Sequence, residues 1–286
     1  MAKASEQRIA VVTDSTADLP PDVAEANNIH VIPLTVIMGD KTWLDGVELD
    51  ATSFYQLLQT SSDHPSTSQP NVAAFESLFS ELARTHDGIV AVLISEELSG
   101  TLASARGAQQ NLPDLPLKII DTRSVSSGIG LIALAAAREA AAGGDLDSVA
   151  QAASSLVDKM VFYFMVDTLE YLHRGGRIGT AGKLLGSVLN LKPILQVKDG
   201  IVQPLTRVRT RQKALAKLME LMAEQIGPDS KLHLGVFHAA DPQAGERLQK
   251  ELEERFKPVE MLFSQVGPVV GAHVGPGTVG VAFYVE

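Results

Sequence analysis

The sequence predicts an α/β protein: an N-terminal parallel sheet with crossover helices, followed by a C-terminal mixed-sheet α+β domain. Three observations carry this. Val- and Ile-rich runs alternate with helical patterns as far as residue 120, a different rhythm with a hairpin signal follows from residue 161, and 286 residues at about 150 per domain make two units. The boundary is expected near Lys159, giving domains 1–159 and 160–286.

Ile9 to Val12, His30 to Ile37, Ile89 to Ile94 and Leu117 to Ile120 read as buried strands. Between them, Pro20-Pro21 opens a helix running to Asn27-Asn28, and Thr52 to Leu58 and Phe75 to Arg84 carry helical patterns. Strands separated by helices of that length form parallel crossover units. A further helix is expected to start at Asp147. In the second half Val161 to Val166 is a strand pattern, and Arg177 onward reads as a glycine-bearing helix ending near Asn190. Pro193 to Val197 and Ile201 to Val208 flank Lys198-Asp199-Gly200, where Asp-Gly between apolar runs signals a hairpin. Leu215, Leu218, Met219, Met222 and Ile226 recur at helical spacing and predict an amphipathic helix over 211–226. Leu232 to Phe237, a helix opened by Asp241-Pro242, Val259 to Phe263 and Val281 to Val285 complete the set.

Composition narrows the function classes. The chain is 45% hydrophobic and 20% charged, an ordinary globular balance, and it contains no Cys, which excludes disulfides, thiolate chemistry and iron–sulfur clusters. A net charge of −10 repels polyanions, so nucleic acid is not an expected partner. No secretory signal or membrane-spanning run is visible, and the expected location is cytoplasmic.

Polar residues gather at strand ends, where open parallel sheets bind ligands. These are Thr13-Asp14-Ser15-Thr16, then Ser95 through Thr101, then Asp121 to Ser124. Ser99 and Gly100 at a helix start offer a hydroxyl and backbone N–H groups to an oxyanion, although an ordinary Ser N-cap has the same pattern. His64 to Pro70 contains Thr67 and Ser68 and reads equally as a surface turn. His273 lies among the glycines of a loop, Gly271 to Gly277, where an imidazole can meet an anion. Arg174 and Arg177 surround a Gly pair and form an anion clamp or an interface ion pair. Arg207, Arg209 and Arg211 alternate to form a positive stripe on one face.

Several chemistries are missing. Gly182-Lys183 is followed by Leu184, so there is no phosphate loop, and no G-x-S-x-G elbow occurs. Asp14 stands where a phosphoaspartate nucleophile would, but Thr16 occupies the place of the second Asp. No metal-ligand spacing is present, so neither a metal nor a cofactor is expected. The pattern favours holding an anion over catalysis.

The motifs V-T-D-S-T-A-D-L-P at 12–20, I-P-L at 32–34, T-S-Q-P at 67–70, L-S-G-T at 98–101, L-x-R-G-G-R-I at 172–178, V-R-T-R at 208–211 and G-A-H-V-G-P-G at 271–277 span nearly the whole chain. In that order they resemble the DegV family, the fatty-acid-binding B subunits of bacterial fatty-acid kinase. The resemblance implies a non-catalytic protein that holds one long-chain fatty acid between two domains. It would present the carboxylate to a separate ATP-dependent kinase, giving acyl phosphate for phospholipid synthesis. It also implies that Thr67, Ser99 and His273 hold the carboxylate, with Ser68, Ser95, Gly100 and Arg177 as further candidates, and that Arg209 docks the kinase. Glu96 stands where many relatives carry a second Ser, and a carboxylate there repels an anion unless it faces away. Two other readings remain. One is an enzyme on a small phosphorylated or keto substrate with His273 as nucleophile or acid. The other is a lipid-responsive regulatory binding protein.

Overall fold

Apolar side chains at all six positions of Ile9–Asp14 except the last two make β1 a strand buried on both faces, the mark of a parallel sheet covered by helices. A computed structural model describes residues 7–186, 191–227 and 230–286. After a 3₁₀ turn at Ser15–Ala17 come α1 (Pro21–Ala26), with Pro at its first position, and β2 (Ile29–Ile32). The predicted strand His30 to Ile37 is two strands. Pro33 has no N–H to continue the ladder, and β3 (Thr35–Met38) leaves for a separate small sheet. There it pairs antiparallel with β4 (Lys41–Leu44) and, beyond α2 (Ala51–Thr60), with β5 (Ser66–Ser68). The segment around Thr67, readable as a turn, is therefore an edge strand.

The chain returns through α3 (Val72–Leu82) to β6 (Gly88–Leu93), then α4 (Thr101–Asn111) and β7 (Leu117–Asp121). The parallel sheet has the order β2-β1-β6-β7. Two helices follow, α5 (Ser127–Ala141) and α6 (Leu146–Val157). Ten of the fifteen α5 residues are buried, because this helix packs against β1 and β6 on one side and β11 and β13 of the second sheet on the other. Its Gly and Ala content serves that double close approach.

The second half begins with β8 (Val161–Met165) and the short α7 (Glu170–Arg174). In place of the long helix expected from Arg177 stands a 3₁₀ segment, Gly179–Leu184, packed on the hairpin strand that follows; the expected end at Asn190 lies outside the described residues. The hairpin is β9 (Lys192–Lys198) and β10 (Ile201–Val208), turning at Asp199-Gly200, both with positive φ. Next come α8 (Arg211–Ala223), β11 (Leu232–His238), α9 (Pro242–Phe256) and β12 (Glu260–Gln265). A short helix, α10 (Pro268–Val274), and β13 (Val279–Val285) end the chain. The mixed sheet has the order β10-β9-β8-β13-β11-β12, antiparallel throughout except for β11 with β12. The sequence reading placed residues 271–277 in a loop, whereas α10 covers the first four of them. Among the described residues no helix is long and apolar enough to cross a membrane.

Although α10 belongs to the second half of the sequence, it packs against α2, β3 and β5 of the first half. That crossing brings His273 to the small sheet.

Candidate functional site

Thr67 sits at the centre of β5, paired with Val36. Alternation along a strand turns its side chain away from those of Ser66 and Ser68. The Thr67 Oγ1 atom lies 2.8 Å from Nε2 of His273, which occupies the last turn of α10. Ser99 precedes α4. It is not the helix cap, since Gly100 takes that position, but its Oγ accepts from the Thr101 N–H at 3.3 Å and bonds the Thr101 hydroxyl at 2.8 Å. Thr67, Ser99, His273 and Arg177 line one cavity of about 70 Å³ together with Gln69. Leu34, Ile94, Val125, Val202 and Val270 supply part of its aliphatic wall. The cavity draws on both halves of the chain: Thr16 and Ser99 follow strands of the parallel sheet, where the sheet rule places ligand groups, while Thr67 lies within a strand of the small sheet and His273 on α10.

Burial away from water, with Arg177 and His64 nearby, pushes the His273 pKa down to about 4, so the imidazole is neutral at pH 7. Its Nδ1 is buried with no hydrogen-bond partner. That atom rests against Gly175 of the G-G pair: a Cβ there would lie 2.2 Å from it, so residue 175 can be nothing larger than glycine while the ring keeps this place. The site thus offers neutral donors, two hydroxyls and an imidazole, inside an apolar wall. A carboxylate can be buried there only by exchanging its water for those donors.

Arg177 is exposed at the cavity mouth, and its guanidinium is already engaged. Nε donates to the Leu98 carbonyl at 3.0 Å and Nη1 to the Gly175 carbonyl at 2.8 Å. It ties the L-S-G-T loop to the R-G-G-R loop through carbonyls, with no ion pair among the described residues, while still lining the cavity. Gly100 contributes closeness: a Cβ would lie 2.9 Å from the Gln69 side-chain amide. Gly100 itself does not line the cavity, and two further candidates are not brought into it. Ser68 is exposed on the other face of β5, where its hydroxyl donates to the Gln69 carbonyl at 3.4 Å. Ser95 is fully buried, and its Oγ donates to the carbonyl of Gly200 at 2.9 Å, holding the hairpin tip of the second half. Glu96 faces solvent and pairs with Arg106 at 2.8 Å, so it does not confront the cavity.

The arginine stripe does not survive folding. Arg207 is the penultimate residue of β10 and Arg209 lies exposed before the Thr210 cap of α8, but Arg211 turns inward. It donates to Asp167 at 3.0 Å, Asp241 at 2.5 Å and the Gly277 carbonyl at 2.6 Å. Three acidic or carbonyl acceptors explain the difference, since a strand-to-helix transition breaks the two-residue period.

Sequence reasoning missed Gln69 as a cavity residue and named Thr16 only within the strand-end group Thr13 to Thr16. Gln69 lies inside T-S-Q-P, two residues from Thr67 and on the same side of an extended chain, which is the signal that could have found it. Among the described residues no group of three or more His, Asp or Glu is placed to hold a metal.

A family model described as "Uncharacterised protein, DegV family" matches residues 8–286. A DegV domain-containing protein of Streptomyces coelicolor is 41% identical over 277 residues, covering 96% of this chain and 98% of its own. Protein DegV of Bacillus subtilis is 33% identical over 276 residues, covering 96% and 98%. Among solved structures, one described as fatty acid binding of a DegV family protein from Thermus thermophilus superposes with a TM-score of 0.92. It shares 33% identity and covers 98% of this chain and 100% of that one. The crystal structure of DegV from Bacillus subtilis, described as a fatty acid binding protein, gives 0.90 at 32% identity, again over 98% and 100%. With the same order of motifs, the same sheets and a match over almost every residue, this chain belongs to the DegV family.

Proposed function

We propose that this protein is a non-catalytic binder of a long-chain fatty acid. The carboxylate is held by Thr67, Ser99 and His273, and the acyl chain is buried between domains 1–159 and 160–286. The observation that supports this most directly is the pairing of Thr67 Oγ1 with His273 Nε2 at 2.8 Å, at the polar end of a cavity with an aliphatic wall. The solved relatives described as fatty acid binding support the ligand class. Burying a C14–C16 chain at about 0.8 kcal/mol per CH₂ gives a gross drive on the order of 10 kcal/mol before ordering and association costs. The cavity, of about 70 Å³, takes the head of the ligand, and the acyl chain follows its aliphatic wall.

The bound acid is presented to a separate ATP-dependent kinase in the cytoplasm, with Arg209 on the docking surface. Its exposed position ahead of α8, with no salt bridge among the described residues, suits a partner's acidic group. The alternative, catalysis with His273 as nucleophile, is less well supported. A catalytic imidazole needs an orienting partner on its second ring nitrogen, and Nδ1 has none.

The test is direct. Organic extraction of gently purified protein and mass analysis is expected to yield a long-chain fatty acid. Delipidated protein is expected to rebind palmitate and to form acyl phosphate only with kinase and ATP. No lipid and no palmitate affinity overturn the reading. Arg209→Ala is expected to spare palmitate affinity and lower kinase coupling, and equal loss of both would mean that Arg209 belongs to the lipid site.

A further inference from the structure

We infer that Asp18 and Asp45 are positioning residues for His273: two buried carboxylates of the first half grip the start of α10, and the donor set of the cavity is assembled only while that grip is closed. The inference rests on the reading of the cavity as a carboxylate site.

The first N–H groups of a helix lack partners within it, and a seven-residue helix is too short to hold itself. The place of α10 is therefore set by whatever satisfies its ends. The Gly267 N–H donates to Asp18 Oδ1 at 2.8 Å, and the Val269 N–H donates to the Asp45 carboxylate. The Val266 carbonyl accepts from the Tyr55 hydroxyl at 3.1 Å. All three side chains come from the first half of the sequence. Further along, Gly271 is pressed against α2, where a Cβ would lie 2.6 Å from the Tyr55 hydroxyl and 2.9 Å from the Phe54 ring, so the helix cannot slide.

Six residues separate Gly267 from His273, a rise of about 9 Å along one rigid rod. A tilt at the gripped end is carried to the imidazole, and a shift of about 1 Å is enough to break a hydrogen bond of normal length. The carboxylates are themselves fixed: Asp18 accepts from Ser126 Oγ at 2.5 Å and Asp45 from Ser15 Oγ at 2.7 Å. Each of these anchors is the chain neighbour of a cavity wall residue. Ser15 precedes Thr16, Ser126 follows Val125, and Val269 is itself part of the wall. A ligand that moves the wall moves the grip, and a loosened grip lowers affinity without touching any group that meets the ligand.

The experiment measures palmitate affinity of the delipidated full-length chain for wild type, Asp18→Ala, Asp18→Asn, Asp45→Ala and Thr67→Ala, alongside NMR titration of the His273 ring without ligand. Asn keeps an acceptor for the Gly267 N–H and a donor for the Ser126 oxygen, so it repairs the grip. Asp18→Ala and Asp45→Ala are expected to weaken palmitate binding by about tenfold. They are also expected to move the His273 titration up from about 4 toward the ordinary 6.5 as the ring meets water, with Asp18→Asn within about twofold of wild type. Should the alanine variants fail to fold, Tyr55→Phe removes only the hydroxyl bond to Val266 and is expected to give the same two changes at smaller size. If these variants bind palmitate like wild type and leave the His273 titration in place, the inference is wrong. If Thr67→Ala also binds like wild type, the reading of the cavity itself fails.

Discussion

Two buried polar clusters lie at opposite ends of α10, and they use their hydrogen-bonding capacity in opposite ways. At the start of the helix stand Asp14, Asp18 and Asp45, each saturated by the protein. Asp14 accepts from the Ile94 N–H at 2.8 Å, the Thr16 N–H at 3.0 Å and the Thr16 hydroxyl. At the far end, the Nδ1 of His273 has no partner and its Nε2 and Thr67 Oγ1 share one bond. Both clusters are driven toward neutrality by burial: Asp45 is pushed up to about 7, while His273 is pushed down to about 4. The lesson is that burial and a shifted pKa do not mark a ligand site by themselves. What differs is that the protein satisfies the buried aspartates, whereas His273 Nδ1 is left without a partner.

The contrast can be broken most forcefully at Asp14. Asp14→Ala leaves two backbone N–H groups buried without acceptors and is expected to cost about 3 kcal/mol of stability or more by denaturant unfolding. A loss below 1 kcal/mol would show that the cluster is not structural. Next in size, Thr67→Ala and His273→Ala are each expected to lower palmitate affinity at least tenfold, corresponding to about 1.5–3 kcal/mol for a bond to a charged group, while both proteins still unfold cooperatively. Unchanged binding in both would place the carboxylate elsewhere.

The pH dependence separates the clusters by sign. Asp45 titrates near 7 in the fold against 3.8 when unfolded, so its contribution is full below about 3.8 and is lost as pH rises through about 7. His273 runs the other way: its contribution is present above 6.5 and is lost as pH falls through about 4. Asp45→Asn is therefore expected to flatten the decline of stability between pH 4 and 8, and His273→Gln to flatten the decline on acidification. A variant that steepens its own limb contradicts the assignment. The smallest effect is expected at Ser95: Ser95→Ala removes the bond to the Gly200 carbonyl, costing about 1 kcal/mol of stability, with palmitate affinity unchanged. A loss of affinity there would return Ser95 to the ligand site.

The parallel strands were legible because burial on both faces produces unbroken Val and Ile runs, as in Ile89 to Leu93. The hairpin at Asp199-Gly200 and the helix opened by Asp241-Pro242 were legible because turn and cap chemistry is local. The small sheet was not. Ser66–Ser68 is a strand only because β3 offers it an open edge, and nothing within three polar residues announces a distant partner. α10 was hidden for a related reason. Pro268-Val269-Val270-Gly271 has poor helix propensity, and its helix persists because side chains more than two hundred residues away satisfy its first N–H groups. Thr67, Ser99 and His273 could be picked out as motif residues, but that they share one cavity while Ser95 and Ser68 do not depends on which way a strand or a loop turns, and composition does not encode that.

The docking of α10 on α2 also bears on how the molecule can be cut. Although the two larger sheets invite dissection into two pieces, the N-terminal piece alone would expose the faces of Phe54 and Tyr55 that α10 covers, and would lack His273. Neither fragment would carry a working pocket. Recombining this protein with a relative therefore calls for transplanting residues 266–277 together with the first half rather than exchanging modules at the visible seam.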